Sequence, residues 1–342
     1  MPHPLRLGVV YDFRKPPDSG IDTVRLYAEI IEQVAWLDGL GLDLVWFTEH
    51  HFVDDGYLPS WIPVAAAMAT RTKHVRFSCD ICLLPFNHPI RLAEDLAVLD
   101  NLSNGRAEIG IGMGYAPHEF RGFGIPLPRR VSLTDEGLEV MKRAFTGERF
   151  SFKGQRYDFT DVKITPGYVQ PGGPPLWVAA MSEGGAKRVA RFDTNFLPQG
   201  SREGAYDTWL GELKATGRDP KRYRIGIIRG CLVTDDRERD WPAVRAAERY
   251  RMRAYDKFRE EAGGGHGGVA INTNENRIPQ TWVIGNPDQC VEQLTSFIKD
   301  YAITDFVTWG VPPGMRPEQM SGSLERFARD VAPRLRAAFA PQ

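Results

Sequence analysis

Cysteine is scarce in this chain: four in 342 residues, at positions 79, 82, 231 and 290. That is too few for a disulfide framework. Cys79 and Cys82 form a C-x-x-C, but inside a strand-like run whose side chains alternate between faces. No second Cys/His pair at zinc spacing accompanies them, so they read as core thiols. A reducing cytoplasm is the simplest setting. An excess of either charge is missing too: 43 basic residues meet 44 acidic ones, for a net charge of −1. No electrostatic footprint therefore points to nucleic acid or to an anionic membrane. No apolar run approaches the length of a transmembrane helix, and Met1-Pro2-His3-Pro4 lacks a signal-peptide pattern. Solenoid repeats and low-complexity tails are absent as well. What is present is an ordinary globular composition, 42% hydrophobic and 25% charged, with ample material for a core.

Strand-like and helix-like segments alternate from the start. Eight runs read as strands: residues 5–10, 43–47, 75–84, 107–112, 176–180, 195–197, 224–233 and 305–309. Between them lie helical signals. Asp22 can cap a stripe of Tyr27, Ile30, Ile31, Val34 and Leu37. A short helix is expected at 63–70, another carries Leu92, Leu96 and Leu99, and a third covers 132–145. Asn286 caps a last one, with Pro287 at its first position and Gln289 three residues after the cap. Repeated alternation with no break in composition predicts one (β/α)₈ barrel over residues 1–342 rather than two domains. Two stretches interrupt the rhythm. Residues 150–175 look like an excursion bearing a hairpin. Residues 259–280, glycine-rich and then asparagine-rich, are expected to form a mobile lid.

Chemistry gathers at three strand ends. The second strand runs into Thr48-Glu49-His50-His51-Phe52, delivering an acid and two imidazoles to the carboxyl end, where α/β folds place their sites. Histidine exchanges a proton near neutral pH. Adjacent strand residues point oppositely, so His50 and His51 cannot both face one cavity if the strand continues through them. A satisfied core histidine beside a helix cap is the plain alternative. The fourth strand runs into Gly110-Ile111-Gly112-Met113-Gly114-Tyr115. Alternate glycines either admit a flat ligand to the backbone or allow tight packing of the protein on itself. The fifth runs into Met181-Ser182-Glu183-Gly184-Gly185-Ala186 and a basic helix. Ser182 can cap that helix, whose open amides suit a phosphate or need only the cap.

In their order along the chain, six groups of residues resemble the bacterial luciferase-like flavin monooxygenases. They are Glu49-His50-His51-Phe52, then Leu84-Pro85-x-x-His88-Pro89-x-Arg91-x-Ala93-Glu94-Asp95, then Ser103-x-Gly105-Arg106. Next come Gly112-x-Gly114-Tyr115-x-x-x-Glu119-Phe120-x-x-Phe123-Gly124, Pro175-Leu176-Trp177-Val178 and Val283-x-Gly285-Asn286-Pro287-Asp288. The resemblance implies a TIM barrel of the luciferase-like type with insertions, binding FMN at the carboxyl ends of its strands as a homodimer. It implies His50 as the catalytic histidine and His51 as its neighbour. It places Asp80-Ile81 where many members have a non-prolyl cis peptide beneath the flavin ring. Gly112, Met113, Gly114 and Tyr115, with Met181, Ser182, Gly184 and Gly185, match the two loops that hold the ribityl phosphate. Residues 259–280 fall where luciferase has its lid.

The implied reaction takes reduced FMN and O2, forms a flavin hydroperoxide and oxygenates a small organic substrate. No Rossmann fingerprint for NAD(P)H is found, so a separate NAD(P)H-dependent reductase would supply the reduced flavin. His50 would manage the proton, with Glu49 or His51 orienting it. Luciferase has an arginine at the position of Met113 and a cysteine at that of Gly112. Without that arginine, the loop amides and Ser182 must suffice or another cation must substitute, with Arg129, Arg130 and Lys187 as candidates. The departure also leaves open a deazaflavin-dependent oxidoreductase on the same barrel, transferring hydride. A non-catalytic flavin-binding protein is a further alternative. A metal-dependent hydrolase using Glu49, His50 and His51 is disfavoured, because adjacent strand ligands diverge. Trp61, Phe86, Tyr115 and Phe123 could line an apolar substrate pocket.

Overall fold

The computed structural model describes residues 3–199, 202–263 and 282–340. The chain opens with β1 (Arg6–Tyr11), α1 (Thr23–Gly39), β2 (Leu44–Phe47), α2 (Trp61–Ala69), β3 (Arg76–Cys79), β4 (Cys82–Leu83) and α3 (Pro89–Ser103). It continues through β5 (Ile109–Gly112), α4 (Pro117–Gly122), α5 (Arg130–Phe145), β6 (Phe150–Lys153), β7 (Asp158–Val162), β8 (Leu176–Ala180) and α6 (Glu183–Phe192). Next come β9 (Asn195–Pro198), α7 (Asp207–Ala215), β10 (Gly226–Ile228), β11 (Gly230–Val233) and α8 (Arg237–Glu261). The last elements are β12 (Trp282–Gly285), α9 (Pro287–Asp300), β13 (Asp305–Trp309), α10 (Pro317–Arg326) and α11 (Ala332–Ala338).

Parallel pairing runs β10–β13–β1–β2–β3 on one side and β5–β8–β9 on the other. Single parallel bridges, Phe77 to Ala107 and Phe196 to Ile225, join the two arcs into a ring. The eight strands of that ring are β1, β2, β3, β5, β8, β9, β10 and β13, in the order read from the sequence. Their side chains are mostly buried on both faces, as parallel strands between a packed interior and outer helices must be, with β10 only partly so. Trp46 and Trp177 meet edge-on inside the ring, 6.1 Å between centroids.

Two expected strands are each broken in two. The third divides at the cis peptide Asp80–Ile81, leaving β4 to pair with β5. The seventh divides at Arg229, and its second half, β11, pairs with β12, a strand the sequence pattern did not disclose. The excursion after α5 carries the antiparallel hairpin β6–β7. The expected helix starts hold: the Asp22 carboxylate accepts the Arg25 N–H at 2.8 Å, and Asn286 with Gln289 forms a reciprocal capping box. The 25-residue α8 was not foreseen. Of the expected lid, residues 259–263 close α8 and its following turn, and 264–280 lie outside the described residues.

The amino ends of the strands are tied by charge. Buried Glu108 bonds Arg6, Arg76 and the Trp177 indole, while Asp305 bonds Arg6 and Arg224. Burial alone would raise the Glu108 carboxyl, but Arg6 and Arg76 outweigh it and hold it down at about 2. The opposite end is left for chemistry.

Candidate functional site at the carboxyl ends of the strands

A cavity of about 570 Å³ opens at the carboxyl ends, with far more apolar than polar lining. The end of β2 supplies Thr48, Glu49 and His50 to its wall. β2 stops at Phe47, so strict alternation no longer governs the next residues. Glu49 and His50 both line the cavity, while His51 turns away among Phe86 and Phe123, 5.6 and 4.8 Å between ring centroids. Phe86 and Phe123 belong to that cluster and Trp61 packs on Phe47 in the core; of the four expected pocket aromatics, Tyr115 lines the cavity.

His50 is not oriented by Glu49 or His51. Its Nδ1 lies 2.8 Å from Oε1 of Glu119, and that same oxygen accepts the His51 N–H at 2.9 Å. Glu119 is fully buried in the first turn of α4. Glu49 serves elsewhere: its Oε1 lies 3.2 Å from His51 Nε2 and accepts the Leu83 N–H at 3.1 Å. A carboxylate on Nδ1 fixes the ring's rotation and favours the tautomer that leaves Nε2 as the exchanging nitrogen. Glu119 stands in the resemblance motif, yet no role was read from it. The usable signal was an acidic residue in the first turn of a helix that Pro117 starts straight after a strand-end loop.

Asp80 and Ile81, joined by the cis peptide, form another part of the wall. Asp80 is 7% exposed, and one amide nitrogen of Gln199, beyond β9, lies 3.1 and 3.0 Å from its two oxygens. Burial pushes its carboxyl up to about 7, against the opposing bond from Gln199. The alternate glycines of β5 make room for the protein itself. A Cβ on Gly112 would stand 1.7 Å from Cδ1 of Ile81, and one on Gly110 2.3 Å from the Cys79 carbonyl oxygen. Gly112, Met113, Gly114 and Tyr115 nonetheless line the cavity.

At the end of β8, Ala179, Ala180, Met181, Ser182 and Gly185 line the same cavity. Ser182 is the N-cap of α6, its hydroxyl 3.4 Å from the Gly185 N–H it accepts. Gly184 is not part of the lining and faces open space. Among the cations weighed for an anion, Arg130 lines the cavity, and its guanidinium makes no hydrogen bond or ion pair among the described residues. Arg129 does not line it, and exposed Lys187 lies 3.9 Å from Glu212. The open amides of α6, the Ser182 cap and Arg130 suit a phosphate, and the apolar remainder suits a flat ring. A flavin mononucleotide therefore fits the residues present.

The far wall comes from α8, which contributes Arg251, Met252, Tyr255 and Arg259. Arg251 holds Glu248 with two nitrogens, at 2.8 and 2.6 Å, and lies 4.4 Å over the ring of Trp309. The Tyr57 hydroxyl bonds both Thr48 and the Tyr255 hydroxyl at 2.8 Å. His50 sits inside this aromatic group, 4.8 Å from the Tyr57 ring and 4.9 Å from Phe258. Among the described residues, no group of three or more His, Cys, Asp or Glu side chains is placed to hold a metal ion. None of their helices is long and apolar enough to cross a membrane.

The luciferase-like monooxygenase family matches residues 5–303. The chain belongs to that family. A protein of Sinorhizobium fredii, y4vJ, is 27% identical over 212 residues, 60% of each chain, so that match spans about three fifths of the relative's length. The oxygenase component of a flavin-dependent trigonelline monooxygenase from Acinetobacter baylyi is 25% identical over 90% of both chains. An F420-dependent glucose-6-phosphate dehydrogenase of Amycolatopsis mediterranei is also 25% identical, over 90% of this chain and 95% of its own. In three dimensions, monooxygenase RslO1 from Streptomyces bottropensis superposes with a TM-score of 0.80 at 23% identity, covering 96% of this chain and 99% of its own. That likeness establishes the fold. Within this luciferase-like barrel, the cavity lies where barrel enzymes place their sites, beyond the carboxyl ends of the strands.

Proposed function

We propose that this luciferase-like protein is an FMN-dependent monooxygenase that oxygenates a small organic substrate with O2. The observation that carries the reading is His50 in the wall of a largely apolar cavity, its Nδ1 held by the buried carboxylate of Glu119. When bound, FMN supplies the electrons and the activation of oxygen. The chain's own residues do the rest. Ser182, the first amides of α6 and Arg130 hold the phosphate. The Met113–Tyr115 loop borders the ribityl phosphate as well, and Ile81 bounds the ring. His50, through Nε2, gives or takes the proton that oxygen transfer requires, and Glu119 keeps that nitrogen aimed. Tyr57, Tyr255 and Phe258 keep water from His50.

Reduced FMN comes from a separate NAD(P)H-dependent reductase in this reading. The Acinetobacter relative, an oxygenase component by name, supports such a division of labour. The Amycolatopsis relative favours a second reading, a deazaflavin-dependent oxidoreductase in which His50 serves hydride transfer. Equilibrium titration with FMN and with F420, each oxidised and reduced, separates the two. Tight binding of reduced FMN, with oxygen uptake that depends on an added flavin reductase and NADH, is expected. Binding of F420 alone would replace this reading with the second.

A further inference from the structure

The cavity contains a carboxyl group that neither the family resemblance nor the proton role of His50 uses. Asp80 lies at the exit of β3, 7% exposed, in the cavity wall. Among the described residues, its one hydrogen-bonding side chain is the neutral amide of Gln199. Glu49 and His50 beyond β2, Tyr115 beyond β5, Arg130 on α5, Arg229 after β10, and Arg251, Tyr255 and Arg259 on α8 share the cavity, and Cys79 precedes it in β3. Asp80 pairs with none of them. A carboxylate so placed has lost water and, among the described residues, gained no cation, so its charged form is poorly supported. Burial accordingly lifts the group to about 7, within reach of a change in its surroundings.

A reduced flavin ring is anionic near neutral pH. Brought into the same low-dielectric cavity, that charge and the Asp80 carboxylate repel each other, and protonating Asp80 removes the repulsion. We propose that Asp80 takes up a proton from solvent when reduced FMN binds and holds it in the cavity as a second proton donor beside His50. The step is a simple protonation: carboxylate plus solvent proton gives the neutral acid, whose O–H can then donate to an oxygen atom in the cavity. This rests on the FMN reading above. The sign follows from linkage: the protonated form binds the anion better, so affinity for reduced FMN falls as pH rises through the range in which free Asp80 is charged.

The test is anaerobic calorimetry with reduced FMN at about pH 8, in two buffers of different ionisation heat, for wild type, Asp80→Asn and Asp80→Ala. Asparagine preserves the shape and the bond from Gln199; alanine removes the group altogether. Thermal melting establishes that each variant is folded. Wild type is expected to take up close to one proton more than either variant, because the ionisation of the FMN phosphate cancels in the comparison. Its affinity should also weaken by up to about tenfold per pH unit more steeply than that of the variants. Equal proton uptake by wild type and both variants, with FMN bound, would overturn this inference and leave the FMN reading standing. Failure of wild type to bind FMN would overturn both.

Discussion

One oxygen of Glu119 serves both histidines: Oε1 lies 2.8 Å from Nδ1 of His50 and accepts the backbone N–H of His51 at 2.9 Å. The shared acceptor fixes the chain leaving β2 and the imidazole ring together. Glu119→Gln keeps a carbonyl oxygen in place and removes the charge. Oxygen transfer is expected to fall by about 10²-fold, the lower end of what a positioned acid–base group supplies. FMN affinity should change little, since Glu119 does not line the cavity. Histidine nitrogen NMR supplies a second reading, with Nδ1–H in wild type and a tautomer mixture in the variant. Wild-type turnover together with wild-type NMR signals would show that Glu119 only packs.

His50→Ala removes the exchanging nitrogen and should leave flavin binding nearly intact while oxygen uptake loses its coupling to product, again by ~10²–10⁴-fold in rate. The ring contacts with Tyr57 and Phe258 make a structural role the competing account. His50→Gln retains hydrogen bonding and much of the volume. A variant pair that binds FMN normally but loses coupling supports proton transfer. A pair that fails to fold makes His50 a core residue.

The glycine of β5 facing Ile81 gives a prediction about shape. A Cβ at Gly112 would stand 1.7 Å from Cδ1 of Ile81, and overpacking of this kind costs about 1–3 kcal/mol. The end of an isoleucine side chain can yield, and here the space beside it is the cavity. Gly112→Ala should therefore lower the melting temperature and weaken FMN binding together. Adding Ile81→Ala should recover part of both, since the two changes occupy one volume. Additive losses in the double variant would show that the glycine acts through its backbone instead.

The barrel was legible in the sequence because parallel strands buried on both faces are continuous apolar runs, and all eight ring strands fell where those runs stand. His50, Tyr115 and Ser182 were legible as strand-end residues for the same reason, whereas Asp80 fell inside an expected strand and was singled out by the family resemblance alone. Less could be read where a side chain acts across the chain. Glu119 reaches His50 over 69 residues and Gln199 reaches Asp80 over 119, and no local pattern encodes either pairing. The glycines of β5 were ambiguous because a missing side chain looks the same whether ligand or protein fills the space. Helix α8, with its many charges, hid its cavity-facing residues within a largely polar sequence.

At the other end of the barrel, stability should depend on Glu108. Its carboxyl, normally near 4.5, is held at about 2 by Arg6 and Arg76 against the cost of burial. A depressed carboxyl contributes stability that is complete above its unfolded value and is lost as pH falls toward the folded one. The shift corresponds to about 3 kcal/mol, at 1.36 kcal/mol per unit, as an order of magnitude. Denaturant melts should show wild type losing this contribution between pH 4.5 and 2. Glu108→Gln should begin lower and change less over that range. Parallel curves for the two proteins would place the acid sensitivity elsewhere.

The phosphate end is tested best at Gly184, because a side chain there meets nothing within 4 Å and the fold should tolerate it. Gly184 lies in the first turn of α6, whose N–H groups and dipole favour an anion. Gly184→Asp sets a carboxylate against that anion without removing any contact. It should weaken FMN binding far more than riboflavin binding, since riboflavin has the same ring and no phosphate. Arg130→Ala should show the same selectivity, by removing one of the cations that line the cavity. Lys187→Ala is the control: its ammonium is exposed and lies 3.9 Å from Glu212, so both ligands should bind as in wild type. Titrations of all three variants with both ligands, followed by flavin fluorescence, decide the matter. Equal losses for FMN and riboflavin in Gly184→Asp would move the phosphate away from α6.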